Sequence, residues 1–246
     1  MTKRSPAILW ILTVTFLILP LFFQSDQASA EDIDDLIRKM SKNFEILKDY
    51  RCIFSKNELV SDELIEQKNI LYKFKKPLCV YMKWTEGSDK GAEVLYAESK
   101  YENELQVHMG GHLSFVNMGI DPKGYIAMRN NRHSILESHL GYVIDLIKIN
   151  YGKAKERNEL NALYMDNELL DGKNTIRLKA VFPAGKEYYG HVIYINIDPV
   201  LCLPVQIKVY GWEMELLEWY IYGRLEVDVG FSDMDFDVNN PDYGFK

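Results

Sequence analysis

Cysteine is scarce in this sequence. Only Cys52, Cys79 and Cys202 occur among its 246 residues, and no two of them form a Cys-x-x-Cys pair. Three cysteines are too few, and odd in number, for the disulfide framework of a small secreted scaffold. The absence of a Cys-x-x-Cys pair also excludes the usual cysteine spacings of zinc sites and redox-active sites. Each cysteine lies in an apolar, strand-like stretch, so we predict buried free thiols, with one disulfide bridge among the three as the alternative.

Basic side chains are outnumbered by acidic ones. The 29 Lys and Arg residues stand against 36 Asp and Glu residues, which gives a formal net charge of −7. Proteins that bind nucleic acids or anionic membrane surfaces use clusters of Lys and Arg. We therefore predict no nucleic-acid partner and no strong attraction to anionic headgroups.

Catalytic signatures are absent as well. The sequence contains no Gly-x-Ser-x-Gly elbow, no His-Glu-x-x-His pair and no glycine-rich phosphate loop. His108 and His112 flank a glycine pair, but a zinc site takes three or four ligands and this loop offers no others. We predict a protein that is not an enzyme and holds no metal or cofactor. A hydrolase site around His108, His112 and His133 is a weaker hypothesis.

Acidic residues gather near the end of the sequence. Asp233, Asp235, Asp237 and Asp242 lack the central glycine and terminal glutamate of an EF-hand calcium loop. Their spacing is more typical of a solvated edge, and we predict one here.

The first thirty residues have the pattern of an export signal. Lys3 and Arg4 precede an apolar run from Ala7 to Phe23, and Ala28-Ser29-Ala30 has the small residues of a cleavage site. We predict a signal peptide over residues 1–30, one domain over residues 31–246, and a periplasmic or extracellular location after cleavage near Ala30. An uncleaved membrane anchor is the alternative, although Pro20 interrupts the apolar run.

Two amphipathic helices are predicted in the remaining chain. The first covers Asp32 to Lys48, where apolar residues recur on one stripe and acidic residues occupy the first turn. The second begins near Ser134, because Ser134 and Glu137 match a capping box ahead of an apolar stripe. That stripe consists of Leu140, Val143, Ile144, Ile147 and Tyr151.

Alternating apolar and polar residues predict strands on both sides of the second helix. The predicted strands are Tyr50–Leu59, Glu63–Phe74, Leu78–Thr85, Ala92–Ala97, Glu104–Met109 and Thr175–Phe182, followed by three more between His191 and the closing loop. Short turns between them exclude parallel crossovers. The pattern indicates an α+β fold, a strongly curved antiparallel β-sheet (a half-barrel) with two main helices packed in its concave face.

The same alternation predicts which side chains face inward. We expect the concave face to form the wall of an apolar cavity, with the two helices as lid or plug. The predicted ligand-binding residues are Val80, Met82, Trp84, Leu105, Val107, Ile207 and Trp219.

Several motifs resemble those of an exported bacterial family of unknown function, which is itself similar to the LolA/LolB-like lipoprotein carriers. They are Lys76-Pro, Tyr81-Met-Lys-Trp84, Glu93-Val-Leu-Tyr96, Leu105-Gln-Val-His108, Asp121-Pro, Ala127-Met, Arg132-His133, Ile197-Asp198 with Leu203-Pro204, and Asp235-Phe with Asn240-Pro-Asp-Tyr-Gly-Phe245. The resemblance implies a half-open barrel whose helices cover an apolar cavity that holds acyl chains.

Two functions of different classes follow. The first is a non-enzymatic exported protein that binds or carries a lipid or a lipidated protein, with transient contacts to membrane proteins of the cell envelope. The second is an envelope protein-interaction module whose core is packed and ligand-free. The size of the interior space distinguishes the two.

Overall fold

A computed structural model describes residues 26–27, 30–159 and 163–245. Nearly all of the predicted signal peptide lies outside the described residues, so the signal peptide and its cleavage remain predictions. Within the described ranges, no helix combines the length and the apolar character that crossing a membrane requires.

The described residues form one open antiparallel sheet of twelve strands with three α-helices. The strands are β1 (Asp26–Gln27), β2 (Asp49–Val60), β3 (Glu63–Lys75), β4 (Cys79–Trp84), β5 (Glu93–Ala97), β6 (Leu105–His108), β7 (Asn117–Ile120), β8 (Leu163–Leu170), β9 (Lys173–Val181), β10 (Val192–Asp198), β11 (Leu203–Tyr210) and β12 (Leu216–Val227). The helices are α1 (Ala30–Ile46), α2 (Tyr125–Met128) and α3 (Leu140–Glu156). The predicted fold class is confirmed.

The strand order divides the sheet into two halves. The order across the sheet is β1-β8-β9-β10-β11-β12-β2-β3-β4-β5-β6-β7, so the last long strand pairs with the first long strand in the middle. Strands β2–β7 form one half and β8–β12 the other. The connection from β7 to β8 carries α2 and α3 from one edge of the sheet to the opposite edge.

Helices α1 and α3 fill the concave face over the second half of the sheet. The predicted stripe of α1 is buried, including Ile33 and Met40, and α1 packs against α3 and β11. Only about 40 Å³ of space remains between the two helices and β9–β11. An acyl chain cannot enter there, and this half is a packed core.

Helix α3 begins later than the sequence indicates. Ser134 caps a short 3₁₀ turn, Ile135–Glu137, and α3 itself starts at Leu140 after an N-cap by His139. The His139 Nδ1 atom accepts a hydrogen bond from the Tyr142 amide at 3.2 Å. The prediction that this helix starts near Ser134 was wrong, because the capping side chain is an imidazole that no capping box describes.

His139 should make stability depend on pH. Its ring stacks near Phe44 and Phe74, with centroids 6.1 and 5.3 Å away. Burial lowers the pKa of His139 to about 4, so the folded protein disfavours the imidazolium. The stabilising contribution of the neutral ring is complete above the unfolded pKa of about 6.5 and is lost as the pH falls towards about 4.

We expect His139→Asn, which keeps an N-cap acceptor, to remove this dependence. Between pH 7 and pH 4, the wild-type free energy of unfolding should fall by about 3 kcal/mol more than that of the variant. Urea unfolding at both pH values measures the difference. Equal losses in the two proteins would contradict the buried, neutral imidazole.

The outer face of the sheet carries a second, smaller apolar cluster, which the sequence did not predict. Tyr81, Leu95 and Ala97 of β4 and β5 are covered by Phe236 and Tyr243 from the C-terminal segment. This segment is also tied to the sheet by ion pairs, Lys73 to Asp235 at 2.9 Å and Lys75 to Asp233 at 2.6 Å. Of the aspartates assigned to a solvated edge, Asp235 instead fastens the segment to the sheet.

Tyr243 holds this segment in place. Its ring stacks on Tyr81 with centroids 4.0 Å apart, and its hydroxyl donates to the Asp235 carbonyl at 2.7 Å. We expect Tyr243→Ala to lower the free energy of unfolding by about 2–3 kcal/mol. Tyr243→Phe should lower it by only about 1 kcal/mol, because only the hydrogen bonds of the hydroxyl group are lost. Chemical denaturation measures both values, and an alanine variant as stable as the phenylalanine variant would rule out the stacking contribution.

The prediction of buried free thiols is confirmed in full only for Cys52. Cys52, Cys79 and Cys202 form no disulfide bond, but Cys79 and Cys202 are only partly buried. Burial raises the pKa of the Cys52 thiol well above its ordinary value, so this group stays protonated and inert.

Candidate functional site: a cavity with one apolar and one polar wall

The first half of the sheet borders a cavity of about 360 Å³ that is partly open to solvent. Its floor is the inner face of β2–β6, and its roof is the connection from β7 to α3, residues 121–139, which we call the cover segment. Protein interiors are close-packed and rarely contain voids much larger than a water molecule. A space of this size is therefore a binding cavity in its dimensions, at the lower end of the roughly 300–1,000 Å³ found for small-molecule sites.

One wall of the cavity is apolar, and the sequence predicted most of its strand residues. Met82 and Trp84 of β4 and Leu105 and Val107 of β6 line the space together. Strand pairing explains the convergence, because Val94 of β5 pairs with both Met82 and Val107 and cross-strand partners share a face. Further apolar contacts come from Phe54, Met109, Ile120, Ile126 and Ile135.

Two predicted residues lie in the packed interior instead of the cavity wall. Val80 is inward-facing but completely buried in the main core, between Phe74 and Tyr96 of the neighbouring strands. Ile207 is 1% exposed and lies beneath α1 and α3, in the half of the sheet that the helices fill. The inward orientation was right for both, but neither borders the large cavity.

Trp219 faces the wrong way for the predicted role. Its strand partners are Lys208 and Asn57, and its indole N–H donates to Gln206 Oε1 at 2.8 Å on the outer face. The Lys208 ammonium lies 4.2 Å from the ring centroid, a cation–π contact. The expectation that Trp219 lines the cavity was wrong, because its neighbour Glu218 occupies the inner face.

The second wall is polar and was not predicted. Glu58 of β2 and Glu218 of β12 are direct cross-strand partners on the inner face, and each carboxyl side chain is only 2% exposed. Like charges directly opposite one another destabilise a sheet unless cations compensate them. Lys56 lies 2.8 Å from Glu58, and Arg132 lies 3.4 Å from Glu218, so both carboxyl groups have a cationic partner.

His133 links the cover segment to this wall. Its Nε2 atom lies 2.9 Å from Glu218, and its Nδ1 atom lies 3.0 Å from Glu137. Both ring nitrogens can donate only in the imidazolium form, which this arrangement favours. Burial opposes the charge, but the hydrogen bonds to Glu218 and Glu137 prevail and raise the pKa of His133 above its ordinary value.

Tyrosines complete the polar wall. The Tyr189 hydroxyl donates to Glu218 at 2.5 Å, and the Tyr220 hydroxyl donates to Glu58. Burial works against ionised Glu58, yet attraction to the Lys56 ammonium lowers the pKa of this carboxyl. Burial and the neighbouring carboxyl groups raise the pKa of both phenols, which therefore act only as donors.

The three histidines of the hydrolase hypothesis occupy different parts of the fold. His108 lies on the outer face, where its Nδ1 atom meets the Asn117 side chain at 2.8 Å, and His112 is in an exposed turn. Only His133 borders the cavity, so the three histidines of the hydrolase hypothesis do not converge. In the part of the chain that the structure describes, no three His, Cys, Asp or Glu side chains are grouped to hold a metal ion.

A family model matches residues 47–245, which include every strand from β2 to β12 and the whole cavity. The chain belongs to the family described as "protein of unknown function (DUF1571)". The predicted membership in a family of unknown function is confirmed. No curated protein matches the chain in sequence.

Solved structures with a similar fold share little sequence with this DUF1571 chain. LprF from Mycobacterium bovis is 11% identical over 84% of this chain and 97% of that chain, with a TM-score of 0.47. The lipoprotein LppX from Mycobacterium tuberculosis is 13% identical over 81% and 94%, with a TM-score of 0.45. A putative outer membrane lipoprotein-sorting protein domain from Vibrio parahaemolyticus is 10% identical over 84% and 97%, with a TM-score of 0.37. At this similarity they describe the fold alone.

Proposed function

We propose that this protein binds a lipid, or the acyl chain of a lipidated molecule, in the cavity beneath the cover segment, and that it catalyses no reaction. The observation that carries the proposal is a space of about 360 Å³ with an apolar wall, whereas only about 40 Å³ remains under α1 and α3. We further propose that it works outside the cytoplasm, as its N-terminal pattern predicts, with transient contacts to envelope membrane proteins.

The cavity size supports a single chain. A cavity of roughly 150 Å³ accommodates one benzene ring, so about 360 Å³ has room for roughly 14 carbon atoms. Burying about ten methylene groups at ~0.8 kcal/mol each gives about 8 kcal/mol before ordering costs. Before those costs, this free energy corresponds to about micromolar affinity, which is an upper limit for binding in this cavity.

The interaction-module alternative requires a filled core. The half of the sheet under α1 and α3 meets that requirement, but the half under the cover segment does not. The cavity therefore favours ligand binding over a purely structural interior.

Native mass spectrometry tests the proposal. Protein purified, delipidated and incubated with single-chain lipids should retain one lipid molecule per chain, and unlabelled lipid should displace a fluorescent acyl probe. Absence of any adduct, together with no displacement of the probe, would refute the lipid-binding function.

A further inference from the structure

The polar wall also restricts the kind of headgroup that the cavity accepts. Its buried cations already have carboxyl partners: Lys56 pairs with Glu58, and His133 pairs with both Glu218 and Glu137. Arg132, behind the wall, is likewise paired with Glu218. No cation in this buried group is left over for an anionic ligand.

Arg129 and Asp89 border the opening with opposite sign, and no ion pair joins them in the part of the chain that the structure describes. In number, the four cationic side chains in and behind the lining equal the four acidic ones. They are Lys56, Arg129, Arg132 and protonated His133 against Glu58, Asp89, Glu137 and Glu218. If His133 loses its proton, the surroundings become negative, which disfavours an anion further.

Burying a charge without a partner is far more costly than burying a hydroxyl group. Three buried side-chain polar atoms of the described residues have no hydrogen-bond partner. Two of them line the cavity and are uncharged, the Gln67 carbonyl oxygen and the Trp84 indole N–H. The third is the Nε atom of Arg132, which lies outside the lining and has the Glu218 carboxyl group 3.4 Å away. Of the two atoms in the lining, one is an acceptor and the other a donor, so a hydroxyl group, which both donates and accepts, matches their chemistry.

We infer that the ligand is a single-chain amphiphile whose headgroup is uncharged and carries hydroxyl groups, as in a monoacylglycerol. This inference rests on the proposed lipid-binding function and adds the headgroup. The chain lies along the apolar wall at Met82, Leu105 and Val107. The headgroup lies at the polar wall near Lys56 and its cross-strand partner Gln67, and it leaves the ion pairs and hydrogen bonds of the wall intact.

Three ligands with the same twelve-carbon chain test the inference: 1-monolauroylglycerol, laurate and dodecyltrimethylammonium, each below its micelle concentration at pH 7.5. We expect the full-length protein to bind monolauroylglycerol at least about tenfold more tightly than either charged ligand. If laurate binds equally well and Val107→Trp abolishes both, the cavity binds lipid but the headgroup inference is overturned. If none of the three binds, the proposed function falls as well.

Charge variants supply the second arm. Glu58→Gln leaves the Lys56 ammonium without its carboxyl partner and should raise the affinity for laurate, relative to that for monolauroylglycerol, at least about tenfold. Glu137→Gln, on the more exposed side of His133, is the milder variant should Glu58→Gln fail to fold, and it should change affinities in the same direction. Glu66→Gln is the matched control, because Glu66 pairs with Lys68 in solvent outside the cavity. An unchanged affinity for laurate relative to monolauroylglycerol in both cavity variants would overturn the inference.

Discussion

Glu218→Ala is expected to lower the free energy of unfolding by about 3–5 kcal/mol, the cost typical of removing one partner from a buried ion pair. The substitution leaves Arg132 and His133 without their shared carboxyl group and removes the acceptor for the Tyr189 hydroxyl. Because Arg132 and His133 belong to the cover segment, the loss should also loosen the roof of the cavity. Chemical denaturation measures the first effect, and hydrogen exchange of the residue 129–139 amides measures the second.

Glu226→Ala is the matched control on the same strand. Glu226 pairs with Arg51 at 2.6 Å, but both side chains are more than half exposed, so the loss should be at most about 1 kcal/mol. The loss of unfolding free energy in Glu218→Gln should lie between those of the two alanine variants. This substitution should also lower the pKa of His133, which an NMR titration measures. If Glu218→Ala costs no more than Glu226→Ala, the polar wall does not hold the cover segment.

Val107→Trp is expected to abolish lipid binding, with affinity reduced at least about 100-fold. Val107 faces the cavity, so the larger ring can extend into existing space without displacing packed side chains. Overpacking costs arise where a core is already filled. Here the free energy of unfolding should stay within about 1 kcal/mol of wild type or rise, as for other cavity-filling substitutions.

The control replaces an aliphatic side chain by the same ring on the opposite face. Leu71 of β3 is 42% exposed and pairs with Lys83, outside the cavity, so Leu71→Trp should bind lipid as wild type does. Probe displacement and denaturation are measured on both variants. Wild-type affinity in a folded Val107→Trp protein would place the ligand elsewhere.

Much of the sheet could be predicted because its two faces differ in polarity over most strands. In β4 and β6 the apolar positions alternate with Lys83, Gln106 and His108, and Met82, Trp84, Leu105 and Val107 were placed on the correct face. The helical stripe of α1 was equally clear. Local periodicity is sufficient where burial follows polarity.

The prediction failed where burial departs from polarity. On β12 the residues on the inner face are Glu218, Tyr220 and Tyr222, whereas Trp219 and Ile221 lie on the outer face. Because charged residues were assigned to solvent, the inner and outer faces of this strand were predicted the wrong way round. Glu218 is buried because Arg132 and His133 reach it from 85 or more residues away along the chain, and no local pattern reports such partners. One signal was present, since Glu58 and Lys56 share the alternation of buried Phe54 in β2.

Strands β7 and β8 were missed for a different reason. The four residues of β7, Asn117–Ile120, include a glycine and are too few to show a clear alternation, and β8 lies next to the edge of the sheet. Their pairing is set by β6 and β9, respectively. Edge positions of this kind depend on the neighbouring strand more than on their own sequence.

Quenching of tryptophan fluorescence by a brominated acyl chain tests the central claim most directly, because bromine quenches an indole only at close contact. Trp84 borders the cavity, whereas Trp219 lies on the outer face of the sheet. We predict that a brominated monoacylglycerol quenches the wild-type protein and Trp219→Phe alike, and that this quenching is lost in Trp84→Phe. Quenching that survives in Trp84→Phe and disappears in Trp219→Phe, or no quenching at all, would contradict the presence of a lipid in this cavity.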